Sequence, residues 1–151
     1  MTVLLRPAAD LYAAGQPTPQ ELSALAAEGV RTVINLRGPA EQLGFDEASA
    51  TERAGMRYVT LPITGEQDLT PDAIARFSRE LAEARSKGPV LVHCGSANRA
   101  GAMLALDAGI THGASRDAAL AFGRKAGLAA LEPAVDALLR ASDKAQPRTS
   151  S

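Results

Sequence analysis

A single cysteine, no tryptophan and only two histidines stand in the 151 residues of this chain. One cysteine rules out an intramolecular disulfide and any metal site built from several thiolates. His93 and His112, with no clustered cysteine or carboxylate around them, give no pattern for zinc. An excess of charge of either sign is also wanting. The formal net charge is −1 and no basic run occurs, so neither nucleic acid nor an anionic membrane is expected as a partner. No apolar run approaches the roughly 20 residues that cross a bilayer, and Thr2 to Arg6 is too short for a signal core. The expected location is cytoplasmic. Abundant alanine, with arginine well ahead of lysine, has the look of a GC-rich bacterial coding sequence.

What the chain does have is an alternation of strands and helices. Leu11–Ala14 reads as a short edge strand, Arg31–Leu36 as a buried β-branched one, and Arg57–Leu61 as a third. Thr18-Pro19 and Thr70-Pro71 each place a cap before a proline at the first helical position. The first of these helices stops at Gly29, and the second runs to about Lys87 with Ile74, Phe77 and Leu81 inward. Helices are also expected over Phe45–Ala54, after a Ser115 cap with Gly127 just past the end, and over Leu131–Ala141. The order implies an α/β fold of one domain, residues 1–142, with a mostly parallel central sheet flanked by helices on both faces. Residues 143–151 are polar and expected to form a frayed tail.

One stretch organises the rest: Val90-Leu91-Val92-His93-Cys94-Gly95-Ser96-Ala97-Asn98-Arg99-Ala100-Gly101. It begins as an apolar strand, passes through a loop of small residues, and enters an apolar helix containing Met103, Leu104, Leu106 and Ile110. Such a strand–loop–helix gathers backbone N–H groups and the positive end of a helix at one point. An anion is the expected occupant, phosphate or a sulfate-like ion. Cys94 at the head of the loop is placed where its thiolate, the nucleophilic form, is stabilised. Arg99 supplies a planar fork matched to two oxygens of a tetrahedral anion. Gly95, Ser96, Ala97 and Asn98 offer their N–H groups around it. A bound phosphate ester would present phosphorus to sulfur and yield a phosphocysteine that water then cleaves.

The His93-Cys94 to Arg99 signature resembles the active-site loop of the protein tyrosine phosphatase superfamily. Together with Tyr12-Ala13-Ala14-Gly15-Gln16-Pro17, Val33-Ile34-Asn35-Leu36-Arg37 and Gly123-Arg124-Lys125-Ala126-Gly127-Leu128, it is similar to the bacterial beta-lactamase hydrolase-like, phosphatase-like family. That resemblance spans nearly the whole chain. It implies a cysteine-phosphatase fold, Cys94 as nucleophile, Arg99 as phosphate clamp, a phosphorylated substrate and no cofactor. Three departures stand out. Four residues separate Cys94 from Arg99, where ordinary tyrosine and dual-specificity phosphatases have five. Ala100 replaces the hydroxyl that those enzymes usually carry after the arginine, and Ala97 stands where this family often has glycine.

Arg37 ends a strand at the edge where ligands bind in parallel sheets, and is a candidate substrate contact. Asp68 lies in the loop where a phosphatase places its general acid; Glu66 and Asp72 compete for that role. The four-residue spacing is also that of rhodanese-like sulfurtransferases, so a Cys94 persulfide carrier is an alternative reading. A non-catalytic module that binds a phospho-ligand is a third.

Overall fold

The computed structural model describes residues 3–41 and 44–145. Five strands, β1 (Leu4–Ala8), β2 (Leu11–Ala14), β3 (Thr32–Asn35), β4 (Arg57–Thr60) and β5 (Val90–His93), form one sheet in the order β1-β2-β5-β3-β4. The pairs β2·β5, β5·β3 and β3·β4 are parallel; β1 alone is antiparallel, to β2. Six helices surround it: α1 (Pro19–Ala27), α2 (Glu47–Arg53), α3 (Pro71–Arg85), α4 (Asn98–Leu106), α5 (Arg116–Lys125) and α6 (Glu132–Ala145). Successive residues of β5 serve opposite faces, as a pleated strand requires. Val90 and Val92 join the core under α3, α4 and α6, while Leu91 packs with Tyr12, Leu22, Leu25 and Val33 beneath α1. None of the helices among the described residues is long and apolar enough to cross a membrane.

Thr18, Thr70 and Ser115 cap α1, α3 and α5 through their side-chain oxygens, as their positions before helix-compatible runs predict. Leu11–Ala14 is not the edge strand its shortness suggested. All four of its residues are buried, and β1 lies outside it. Leu4 to Ala8 offers little strand signal because it carries Pro7 and is half exposed, both of which an edge strand tolerates. The second helix starts at Glu47, two residues after Phe45, because Asp46 takes the cap position. The apolar segment entered after Arg99 ends its regular α-helix at Leu106 and continues as one π turn over Asp107–Thr111. The last helix runs on through Asp143 to Ala145, and residues 146–151 of the expected tail lie outside the described residues.

Helices α4 and α5 meet through glycine. A Cβ at Gly101 would stand 2.2 Å from the Leu128 nitrogen and 2.7 Å from the Gly123 carbonyl oxygen. Both are backbone atoms, so the helices themselves would have to part. Gly101→Ala is therefore expected to destabilise the protein by about 3 kcal/mol through overpacking. Urea unfolding measures this, and a midpoint equal to that of the native protein would show that the two helices can separate at no cost.

Candidate active site

The middle strand of the sheet, β5, delivers Cys94 to its carboxyl end, the edge at which open parallel sheets bind ligands. Hydrogen bonds lock the first half of the loop onto the end of β2. The Cys94 N–H donates to the Ala14 carbonyl at 3.2 Å, and the Gln16 N–H to the Gly95 carbonyl at 3.3 Å. Gly15 bridges to Ser96, and a Cβ at Gly15 would come within 2.8 Å of the Gly95 oxygen. This close approach accounts for Gly15 in the Tyr12–Pro17 motif.

The second half turns through Ala97, whose φ of +75° is the sole positive value at a non-glycine residue among the described ones. An alanine there is strained by roughly 1 kcal/mol relative to glycine. Its Cβ is housed by Gly127, where an added Cβ would lie 2.6 Å from that of Ala97. The Gly123–Leu128 motif thus backs the loop. Helix α4 opens on Asn98, and its first intrahelical bond runs from the Gly101 N–H to the Ala97 carbonyl at 2.9 Å. The Asn98 side-chain oxygen accepts from the backbone of Ala129 at 2.8 Å and Leu131 at 3.3 Å, so that side chain ties the loop to the α5–α6 connection.

Arg99 meets a partner with no local sequence signal. Its two terminal nitrogens donate to the two carboxylate oxygens of Glu41 at 2.7 and 2.8 Å, and one also donates to the Ile63 carbonyl at 3.0 Å. Glu41 further accepts from the Gly38 N–H at 2.6 Å and from Arg37 Nε at 3.2 Å. Held first by Arg99 and then by Gly38 and Arg37, the Glu41 carboxyl titrates at about 2 despite partial burial that opposes ionisation. The Arg99 guanidinium in turn keeps its proton more firmly than usual, through Glu41 first and with the neighbouring Cys94 adding to the effect. Arg37 also donates to the Gln16 side-chain oxygen at 2.6 Å. The candidate substrate contact is therefore part of the frame around Arg99.

A cavity of about 490 Å³ opens beside this frame, walled by Gly38, Glu41, Thr64, Gly65, Asn98 and Arg99 among others. Cys94 is fully buried beneath the loop. Asp68 lies in a short 3-10 turn, Glu66–Asp68, on the loop that provides the Thr64–Gly65 wall. Its carboxylate accepts from the Thr64 hydroxyl at 2.6 Å and the Thr64 N–H at 2.8 Å. Those two bonds hold its carboxyl below the ordinary aspartate range, the hydroxyl contributing most. Asp72 sits in the first turn of α3, where the helix dipole suffices to account for it.

Below the loop, the His93 ring is buried against Glu47. Glu47 and Glu41 carry no periodic or motif signal; only their place after β3, at the sheet's ligand edge, could have drawn attention to them. No group of three or more potential metal ligands occurs among the described residues.

The comparisons agree with this geometry. A family model described as a DSP-PTPase phosphatase fused to NAD+ kinase matches residues 5–132. The beta-lactamase hydrolase-like protein of Xylella fastidiosa Temecula1 is 38% identical over 121 residues, covering 78% of this chain and 27% of that protein. Its namesake from Agrobacterium fabrum is 37% identical over 94 residues, covering 60% of this chain and 21% of its own length. The chain thus spans about a quarter of the curated relatives it matches. Among solved structures, a DUF442 phosphatase from Shewanella putrefaciens CN-32 superposes with a TM-score of 0.73 at 27% identity, covering 94% and 91% of the two chains. A cysteine-to-serine variant of TpbA from P. aeruginosa, solved with phosphotyrosine, gives 0.73 at 25% identity, covering 93% and 84%. With the family model running from β1 into α6 over a Cys94–Arg99 loop of this shape, the chain belongs to the dual-specificity-type family of protein tyrosine phosphatase domains.

Proposed function

We propose that this domain hydrolyses phosphomonoesters by way of a phosphocysteine at Cys94. The observation that carries the reading is the Arg99 fork set beside Cys94 at the end of the central strand, in a fold shared with phosphatases. In the first step the Cys94 sulfur attacks phosphorus, the ester P–O bond breaks, and the departing alkoxide or phenoxide takes a proton. In the second, water attacks phosphorus, the S–P bond breaks, and phosphate leaves with the thiolate restored. The loop N–H groups of residues 95–98 and Arg99 hold the phosphoryl oxygens as charge redistributes. Because Glu41 takes up the two terminal nitrogens end-on and the Ile63 carbonyl takes the second hydrogen of Nη1, the Nε–H and the second hydrogen of Nη2 are the donors left for substrate. The phosphotyrosine seen in TpbA is one member of the substrate class; phosphoserine and small phosphorylated metabolites are others.

Asp68 is the proton donor in this reading. Its carboxylate must exchange Thr64 for the leaving group, and Thr64 itself borders the cavity, so the two sites adjoin. Asp68→Asn is expected to slow hydrolysis about 100-fold for poor leaving groups and far less for p-nitrophenolate, which departs without a proton. Equal rates in variant and native protein across a leaving-group series would remove Asp68 from the mechanism. The sulfurtransferase alternative is checked in the same preparation. Thiosulfate:cyanide transfer releases sulfite, which needs no acid, and turnover of thiosulfate above that of phosphomonoesters would overturn the phosphatase reading.

A further inference from the structure

We propose that Glu47 is a positioning residue for the Cys94 loop and acts through His93. This deepens the phosphatase reading above and rests on it for the identity of the anion. The two side chains are 0% and 2% exposed, with His93 Nε2 at 2.5 Å from a Glu47 carboxylate oxygen. On the other side of the ring, His93 Nδ1 lies 3.4 Å from the Cys94 carbonyl oxygen. Both ring nitrogens therefore face acceptors. A neutral imidazole has one N–H, so it can donate to only one of the two acceptors. Satisfying both contacts requires the pair to hold two protons, one on Nδ1 and one between Nε2 and the carboxylate. In that state His93 and Glu47 together carry no net charge, which is the form a buried pair adopts at least cost. Loss of either proton would set a lone pair against an oxygen.

The Nδ1 bond has a consequence for the loop. A trans peptide points its C=O and N–H in opposite directions, and no cis bond occurs among the described residues. Drawing the Cys94 carbonyl toward His93 turns the Gly95 N–H away from the ring, toward the amides that follow it. The peptides on either side are fixed by backbone, Cys94 N–H to Ala14 and Gly95 carbonyl to Gln16. The Cys94–Gly95 peptide is the one fixed by a side chain.

Glu47 also couples this floor to the rim. Its second oxygen accepts from the Gln16 amide at 2.7 Å, and the Gln16 oxygen accepts from Arg37 at 2.6 Å. Arg37 donates onward to Glu41, which holds Arg99. An unbroken line of contacts runs from His93 to Arg99 by way of Glu47, Gln16, Arg37 and Glu41. The other ionisable groups around it are Cys94 on the loop, Asp46 at the start of α2 and Tyr58 on β4, whose hydroxyl accepts from Asn35 at 2.8 Å.

Nitrogen-15 NMR of the native protein tests the proposal directly. Both His93 ring nitrogens are expected to give protonated-type shifts at neutral pH, because both face acceptors. In Glu47→Gln one nitrogen should become bare under the same conditions. Inorganic phosphate, followed at the Gly95 amide, should bind that variant about tenfold more weakly, the loss of roughly one hydrogen bond. A purely structural role for Glu47 would leave the ring protonation unmoved. A bare nitrogen on native His93 at neutral pH overturns the proposal, whether or not the variant folds. Native phosphate affinity in a folded Glu47→Gln does the same. A native protein with a doubly protonated ring that binds no phosphate would overturn the phosphatase reading instead, with the positioning role supported by the ring.

Discussion

Cys94→Ser is expected to lower phosphomonoester turnover by on the order of 10³-fold or more while leaving phosphate bound. The two residues differ by one atom, and Cys94 is fully buried, so the loop has little reason to rearrange. The loop backbone is held by bonds that do not involve the sulfur, Cys94 N–H to the Ala14 carbonyl and Gln16 N–H to the Gly95 carbonyl, and Arg99 is held chiefly by Glu41. What changes is the nucleophile. A thiol yields its proton to a modest field, whereas a serine hydroxyl remains neutral at any working pH unless a general base takes its proton. The one imidazole beneath the loop faces Glu47 and the Cys94 carbonyl. It is engaged elsewhere and offers no base. The assay is p-nitrophenyl phosphate hydrolysis beside phosphate inhibition of the native protein and direct phosphate binding to both. The native enzyme should also show a burst of p-nitrophenolate followed by a slower steady rate, because Ala100 brings no hydroxyl to assist breakdown of the phosphocysteine. Residual activity within tenfold of native would mean that sulfur is not the attacking atom.

Much of this site was legible in the residues. A β run, one cysteine, four small or polar residues and an arginine at the mouth of an apolar helix give a strand–loop–helix, and the caps at Thr18, Thr70 and Ser115 fix three helix starts locally. These features act over a few residues, so the sequence displays them. Glu41 does not act locally. It stands 58 positions from Arg99 in a loop without periodicity, and the bond between them exists only once β3 and β5 lie side by side. Glu47 is disguised further, since an acidic residue in a first helical turn ordinarily answers to the dipole and faces water. Here it is buried, because α2 lies over the face of the sheet to which His93 points. Strand β1 escaped for a related reason. Its partner β2 supplies the burial that its own residues, half exposed and broken by Pro7, do not announce. The Gly127 motif was visible as a string, but its reason is spatial: it makes room for the Ala97 Cβ at a left-handed position.

Arg99→Lys is expected to reduce kcat/KM about 10³-fold although the positive charge stays. A lysine offers a point charge on a flexible stem, with three rotating donors in place of a rigid fork. In the mechanism proposed above the fork would serve two partners at once, Glu41 and the phosphoryl group. Its terminal nitrogens bind both oxygens of Glu41 and the Ile63 carbonyl, which fixes the plane of the guanidinium, and the remaining N–H groups are then aimed without further ordering. Ammonium cannot hold a carboxylate in two places and a phosphoryl group in two more. The loss should fall on kcat more than on KM, since aligned donors matter most where phosphoryl charge is redistributing. A second readout follows from Glu41. Its folded-state value of about 2 lies below its ordinary 4.5, with Arg99 the largest cause. A carboxyl lowered on folding contributes stability that is fully present above the unfolded value and is lost as pH falls toward the folded one. In the native protein that contribution therefore fades between about pH 4.5 and about pH 2. Removing the fork raises the folded value toward the unfolded one, so the variant should lose less on acidification, starting from a lower stability at neutral pH. Thermal unfolding of both proteins across that interval, beside steady-state kinetics at neutral pH, measures the two effects separately. Parallel stability curves would show that Glu41 draws its ionisation from Gly38 and Arg37 instead. An unchanged kcat would show that charge alone, without the fork, is what the loop requires.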